Sequence, residues 1–461
     1  MIDMNVFHGF LDAIRHLPEM AQPVVLTDEE RVARAKAVMR AKMDRSLALD
    51  LEACVHCGYC SEACQFQQAS GDPKHSPSRK LDLLRRFHAR ETSAFAPVKR
   101  LFVRDLTADD LREWQELVFD SCTECGRCSM VCPMGINTAR GVNVMREALF
   151  EAGLAPAELQ AVSQEQQGRG TVFGVGAPEL HRCIETLRAQ GITIPLDLPQ
   201  ADVLLVTTVI DVLLFQDALA ATARILDHLG LRWTLRSEGF EAANFGLLAG
   251  NEALQKEASG KLVRQALAIG ARTVILPECG HAYPALRWDA SLDDGSPLPF
   301  EVLAISEFVG REVAAGRLHL QRGEQGRAVT YHDACKLARH GGVVREPRDA
   351  LQAMGLELRE QQDHAEQAWC CGGGAGNFLL NRASGLRHKA WSIKQAQVDA
   401  TGADAVVVAC GSCRLNFMAG AETAEWPMRI ESLVELVARQ LPAGDEALSA
   451  APAPAAAAAR P

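Results

Sequence analysis

No stretch of the 461 residues stays apolar for long enough to cross a bilayer. The most apolar segment, Val203 to Phe215, is broken by Asp211. The first twenty residues, Met1 to Met20, lack a basic start followed by an apolar run, so no signal peptide is expected. Positive charge is in short supply. Lys and Arg number 48 against 58 Asp and Glu, a formal net charge of −10, which argues against nucleic acid as a partner. A dinucleotide or flavin fingerprint is also missing. Gly174-x-Gly176 has no third glycine and no strand–turn–helix setting, so any flavin is expected on a partner rather than on this chain.

What the chain has in quantity is cysteine, 15 residues, most of them in short-spaced runs. Such clustering points to metal rather than disulfides, and to a reducing compartment such as the cytoplasm. Cys54, Cys57, Cys60 and Cys64 follow the pattern C-x2-C-x2-C-x3-C. Cys122, Cys125, Cys128 and Cys132 repeat it, and Pro133 follows. This is the ligand pattern for two cubane [4Fe–4S] clusters, in which the fourth cysteine of each run serves the other cluster. Cys54, Cys57, Cys60 and Cys132 are therefore expected at one cluster, and Cys122, Cys125, Cys128 and Cys64 at the other. Zinc is the competing metal, since C-x2-C binds it too; two complete four-cysteine runs with the same x3 step favour iron–sulfur.

Around these runs the pattern is helical. Val6, Phe10, Ile14 and Leu17 give residues 5–17 an apolar stripe that fits either packing on the chain itself or docking on a membrane partner. Thr27 and Glu30 have capping-box spacing and open a helix expected to reach Ala48. Ser78 to Arg90 reads as a helix carrying Arg79, Lys80, Arg85, Arg86 and Arg90. Its basic face could steer a redox partner, tune a cluster potential, or simply be solvated. A further helix starts at Thr107 to Asp110. The polar, Gly-containing segment Gln160 to Gly170 reads as a linker, and Cys183 as a lone buried cysteine.

From Ala201 the texture changes to short β-branched runs alternating with helices, the mark of parallel sheets. Strands are expected at Val203 to Val206, Thr273 to Leu276, Val329 to Tyr331 and Ala405 to Val408, with a helix from Phe215 to Leu229. The segment Gly270 to Leu276 is echoed 132 positions later by Gly402 to Val408, and Asn244-Phe245 recurs 133 positions on as Asn377-Phe378. Two α/β repeats facing each other across a cleft would account for both offsets, with ligands at the carboxyl ends of the strands. The second repeat carries Cys335, Cys370-Cys371-Gly372, and Cys410 with Cys413.

The arrangement C-x34-CCG-x37-C-x2-C resembles the cysteine-rich CCG domain of heterodisulfide reductases, as do Tyr331 to Lys336 and Glu346-Pro347-Arg348. With the tandem cluster runs in front, the chain resembles the heterodisulfide reductase D subunit and the K subunit of the sulfite-reduction-associated complex. Pattern and resemblance together imply an α+β multidomain protein: an N-terminal helical segment (1–50), a mainly helical bis-[4Fe–4S] ferredoxin-like domain (51–150), a linker or helical stretch (151–200), a degenerate CCG repeat (201–325), a complete CCG repeat (326–440) and a tail (441–461) expected to be disordered from its Ala/Pro-rich composition. It also implies a non-cubane [4Fe–4S] cluster on Cys335, Cys370, Cys371, Cys410 and Cys413. In the first repeat, Ser237-Glu238-Gly239 stands where CCG would fall, and Cys279-Gly280-His281 occupies the C-x2-C region. Cys279 could be a redox-active thiol and His281 a proton donor, or both could be packing remnants.

The function so implied is an iron–sulfur oxidoreductase subunit for disulfide or persulfide chemistry. Its expected partners are a membrane cytochrome b or quinone-linked subunit, which would hold it peripherally at the inner face of a membrane. The competing function is the electron-transfer subunit of a glycolate-type or glycerol-3-phosphate dehydrogenase, or of a hydrogenase.

Overall fold

A computed structural model describes residues 3–292 and 294–442. The N-terminal part is helical. The Met4–Met20 helix buries Phe7, Phe10, Ile14 and Leu17 against the chain's own Ala157–Arg169 helix, so self-packing takes up the apolar stripe. Val6, expected on that stripe, faces outward, and Phe7 takes its place. The Thr27 capping box forms. Its helix ends at Lys42 rather than Ala48, because Asp44 accepts from the Leu47 amide at 2.9 Å and caps a fresh helix, Arg45–Ala53. The expected helix over Ser78 to Arg90 is broken at Leu81 into Pro77–Lys80 and Asp82–Phe87, followed by a wider turn, His88–Thr92.

The expected linker at Gln160 to Gly170 is helical. Ala157–Arg169 buries Leu159, Val162 and Gln166 and stops at Gly170, whose φ of 78° suits a left-handed cap. Gln166 donates to the Ala243 carbonyl (2.8 Å) and accepts from the Phe245 amide (3.0 Å), so a polar face is used for packing.

Two parallel four-stranded sheets follow. The first contains β1 (Val203–Leu205), β2 (Trp233–Leu235), β3 (Thr273–Leu276) and β4 (Glu301–Ala304), in spatial order β2-β1-β3-β4. The second contains β5 (Ala328–His332), β6 (Glu357–Leu358), β7 (Ala405–Val408) and β8 (Arg429–Ser432), in the order β6-β5-β7-β8. The two orders are the same pattern, with β3 and β7, the segments echoed in sequence, in corresponding places. The repeats also meet reciprocally. The Gln216–His228 helix after β1 packs on the Leu433–Arg439 helix after β8, and the Ile305–Ala314 helix after β4 packs on the Arg345–Ala353 helix after β5. A pseudo-two-fold relation produces this exchange.

Arg146 joins the helical part to both repeats. It is fully buried and donates to the carbonyls of Val118 (2.8 Å), Cys122 (2.8 Å), Leu248 (3.3 Å) and Ala375 (2.7 Å), with Phe119 beneath its guanidinium.

Candidate metal centre

All 15 cysteines are free thiols, and all but Cys183 and Cys279 fall into three groups. Cys54, Cys57, Cys60 and Cys132 line one hollow. Cys64, Cys122, Cys125 and Cys128 line a second. The fourth cysteine of each run thus crosses to the other run's hollow, and Cys128 borders both. The two loops share one backbone path. His56 and Glu124, each just before the second cysteine of its run, have φ of 54° and 50°, and Gly58 and Gly126, just after it, have 88° and 78°. Left-handed residues on either side of a cysteine turn the loop sharply around one point. Gly126 is fixed further by close packing, since an added Cβ would lie 2.8 Å from His340 Nε2.

The donor sets suit iron–sulfur clusters. Each hollow is lined by at least four cysteines, whose sulfurs are the soft ligands such clusters take. Burial pushes the Cys122 and Cys128 thiols up, so a cation in the hollow is what would hold them as thiolates.

The third group lies at the carboxyl ends of β5 and β7. Cys335 follows β5, while Cys410 caps the Gly411–Thr423 helix after β7 and Cys413 sits in its first turn. The Cys370 thiol neighbours the thiols of Cys335 and Cys371. Cys371 stands in the same relation to Cys413, and Cys413 to Cys410. All five sequence-expected residues are therefore in one cluster. Gly372 N and Gly373 N donate to Cys370 Sγ and Cys371 Sγ at 3.4 Å each, and Asn416 holds the Cys371 carbonyl at 2.7 Å. The Arg348 guanidinium grips both Asp333 oxygens at 2.9 Å, which fixes the turn between β5 and Cys335.

The third group touches the second. Cys125 and Cys370 are thiol neighbours, and Thr123 Oγ1 is 3.3 Å from Cys370 Sγ. Arg339 and His340, just past Cys335, clasp the Cys125 carbonyl at 2.7 and 3.1 Å.

Residues 50–136 match the family of 4Fe-4S dicluster domains, and residues 329–418 match the family of cysteine-rich CCG domains. The chain is 28% identical over 408 residues to the D subunit of the dihydromethanophenazine:CoB–CoM heterodisulfide reductase of Methanosarcina acetivorans, an alignment covering 85% of this chain and 94% of that one. The chain therefore carries a 4Fe-4S dicluster domain and a CCG domain, and over most of its length it is similar to heterodisulfide reductase D subunits. It is also similar to an Hdr-like menaquinol oxidoreductase iron–sulfur subunit of Archaeoglobus fulgidus, at 24% identity covering 86% of this chain and 81% of the relative. An EtfAB:quinone oxidoreductase of Syntrophomonas wolfei is 25% identical, over 78% of this chain and 52% of the relative.

In the first repeat, other side chains occupy the positions that correspond to two of the third group's cysteines. Counting back 132 positions, Glu278 corresponds to Cys410 and His281 to Cys413. The Glu278 carboxylate accepts from Val434 N (3.1 Å) and Ser432 Oγ (2.8 Å), both in the other repeat. His281 Nε2 accepts from Ala375 N at 2.7 Å, in the loop after the CCG, and Nδ1 faces Ser412 Oγ at 3.4 Å. Burial, then the Lys336 charge, brings His281 down to about 4, so at neutral pH its ring is uncharged, with the proton on Nδ1. Cys279 is buried beside Cys410, its thiol pushed up by burial first and by Cys410 second. Cys183 is buried in the Ala177–Ala189 helix.

Three polar side chains at the sulfur groups escaped notice in the sequence or were read as surface. His332 is 1% exposed, and neither ring nitrogen has a hydrogen-bond partner. A ring nitrogen lies within 4.8 Å of the sulfurs of Cys371 and Cys413. Lys394 is 1% exposed, is held down to about 8 by burial, and faces Asp333, Cys370, Cys371 and Cys413. Lys80, expected on a basic helix face, is buried against the second hollow. Only the motif around His332 was visible in the sequence; nothing local marks the two lysines as interior.

Proposed function

We propose that this subunit passes electrons along three adjoining sulfur sites and uses the third for thiol–disulfide chemistry within a larger redox complex. The unbroken run of sulfur carries this reading: Cys128 borders both N-terminal hollows, and Cys125 meets Cys370. Cys54, Cys57, Cys60 and Cys132 would hold one cubane cluster, and Cys64, Cys122, Cys125 and Cys128 a second. Cys335, Cys370, Cys371, Cys410 and Cys413 would hold a non-cubane cluster. Bound there, such clusters take up and release single electrons.

The chain's own residues do the rest. Cleaving a disulfide takes two electrons and two protons and yields two thiols. The buried Cys370 and Cys371 sulfurs are fixed by the amides of Gly372 and Gly373, so the site is held rigid from the protein side. Cys335 is the half-exposed member of its group, and Lys336 beside it lines an open polar cleft with Arg140, Arg264 and His340, the route by which a substrate would approach. His281 and Glu278 keep the degenerate repeat closed over the opposite side. No described helix is long and apolar enough to cross a membrane, so a quinone-linked or cytochrome partner would supply any membrane contact.

The test is the electron paramagnetic resonance of anaerobically purified, oxidised protein titrated with 2-mercaptoethanol. A signal that changes with thiol and disappears in Cys371→Ser supports thiol chemistry at the third site. A spectrum indifferent to thiol rejects it and leaves an electron-relay role, which the quinone-linked names among the relatives favour.

A further inference from the structure

Lys80 is 1% exposed, at the end of the short Pro77–Lys80 helix, with its backbone carbonyl held by Trp114 Nε1 at 3.2 Å. Its ammonium donates to the Ser121 carbonyl and lies 4.0 Å from Cys64 Sγ, with the Phe66 ring 5.9 Å away. An ammonium without a counter-charge is expensive to bury. No carboxylate forms an ion pair with it among the described residues. What it faces instead is the second hollow, which it lines together with Cys64, Cys122, Cys125 and Cys128. Arg127 also borders this hollow, but its guanidinium stacks on Trp369 at 4.0 Å and faces Asp363 at 3.5 Å. No lysine or arginine lines the first hollow, where Cys57 is exposed.

We propose that Lys80 is a potential-setting residue: its buried ammonium raises the reduction potential of the centre on Cys64, Cys122, Cys125 and Cys128 above that of the centre on Cys54, Cys57, Cys60 and Cys132. The inference rests on the two-cubane assignment. Adding an electron to a buried anionic centre is unfavourable, and a fixed cation in a low-dielectric setting offsets that cost more than one in water would. The asymmetry parks an arriving electron beside Cys370 rather than at the exposed end.

Redox titration of both cubanes, followed by electron paramagnetic resonance, tests this. In the wild type, the cubane reduced first is the one whose signal changes in Cys64→Ser. At the wild-type midpoint, Lys80→Gln lowers the reduced-to-oxidised ratio of that cubane at least tenfold, a shift of about 59 mV or more for one electron. The other cubane's midpoint stays in place, and Lys80→Arg, which keeps the charge, shifts the first much less. An unshifted midpoint in a fully loaded Lys80→Gln overturns the proposal. So does a wild type in which the Cys64-sensitive cubane is reduced last, a result that stands even if the Gln variant does not assemble. An N-terminal region holding fewer than two cubanes overturns the assignment beneath it, a failure that iron content separates from a failure of Lys80 alone.

Discussion

Cys371 sits between Cys370 and Cys413 and faces His332, so it is the member of the third group through which the others connect. Replacing it with serine should remove one centre's iron, about 4 atoms per chain, and leave both N-terminal signals intact; iron analysis with spectra of the same sample checks this. A different single-residue effect is expected at Asp211. It is buried in the first repeat, and burial raises its carboxyl to about 6 against the pull of Thr208 and Thr207. A group raised in the fold stabilises fully below its unfolded value, and that contribution is lost as pH rises through about 6. Asp211→Asn removes this loss, so its stability relative to wild type should improve between pH 4 and pH 7, by at most about 3 kcal/mol. Denaturation curves at the two pH values decide; a difference that stays constant contradicts the shift. At this scale the spacing of the cysteines was enough to group them as the structure groups them. Sequence reading could not place Lys80 or Lys394, because a lysine's burial is decided by what packs on it, and that comes from far along the chain.

At the scale of elements, β1, β3, β5 and β7 are apolar runs that can be read directly. The missed strands β2, β4, β6 and β8 flank them, and β6 is only the two residues Glu357–Leu358. Such strands exist because a neighbour pairs with them, not because of their own composition. The helix read as a linker shows the same limit. Ala157–Arg169 is rich in glutamine and gains its buried face against the Met4–Met20 helix, the first repeat and the loop after the CCG. Its contact with the CCG loop is tight: Gly376 has φ of 78°, and an added Cβ would meet Leu159 Cδ2 at 2.8 Å. Gly376→Ala should therefore cost about 1–3 kcal/mol. Gly385→Ala, in a helix with open space around it, should be neutral or slightly stabilising. Chemical denaturation of the pair separates local backbone strain from a general intolerance of alanine.

For the whole molecule, Arg146 is the test of unity. It ties the Cys122 loop to both repeats, and its loss leaves Glu124 buried beside unpaired carbonyls. Arg146→Met should destabilise the chain by about 3–5 kcal/mol, with the helical part and the repeats unfolding together at a lower denaturant concentration; two separate transitions would mean that the parts are not coupled through it. The central claim is that one chain carries three sulfur centres in contact. Iron quantification on anaerobically purified protein tests it most directly. Three centres predict about 12 iron atoms per chain, with a paramagnetic signal in the oxidised state that answers to thiol. About 8 iron atoms, only the two cubane signals and no response to thiol would contradict it.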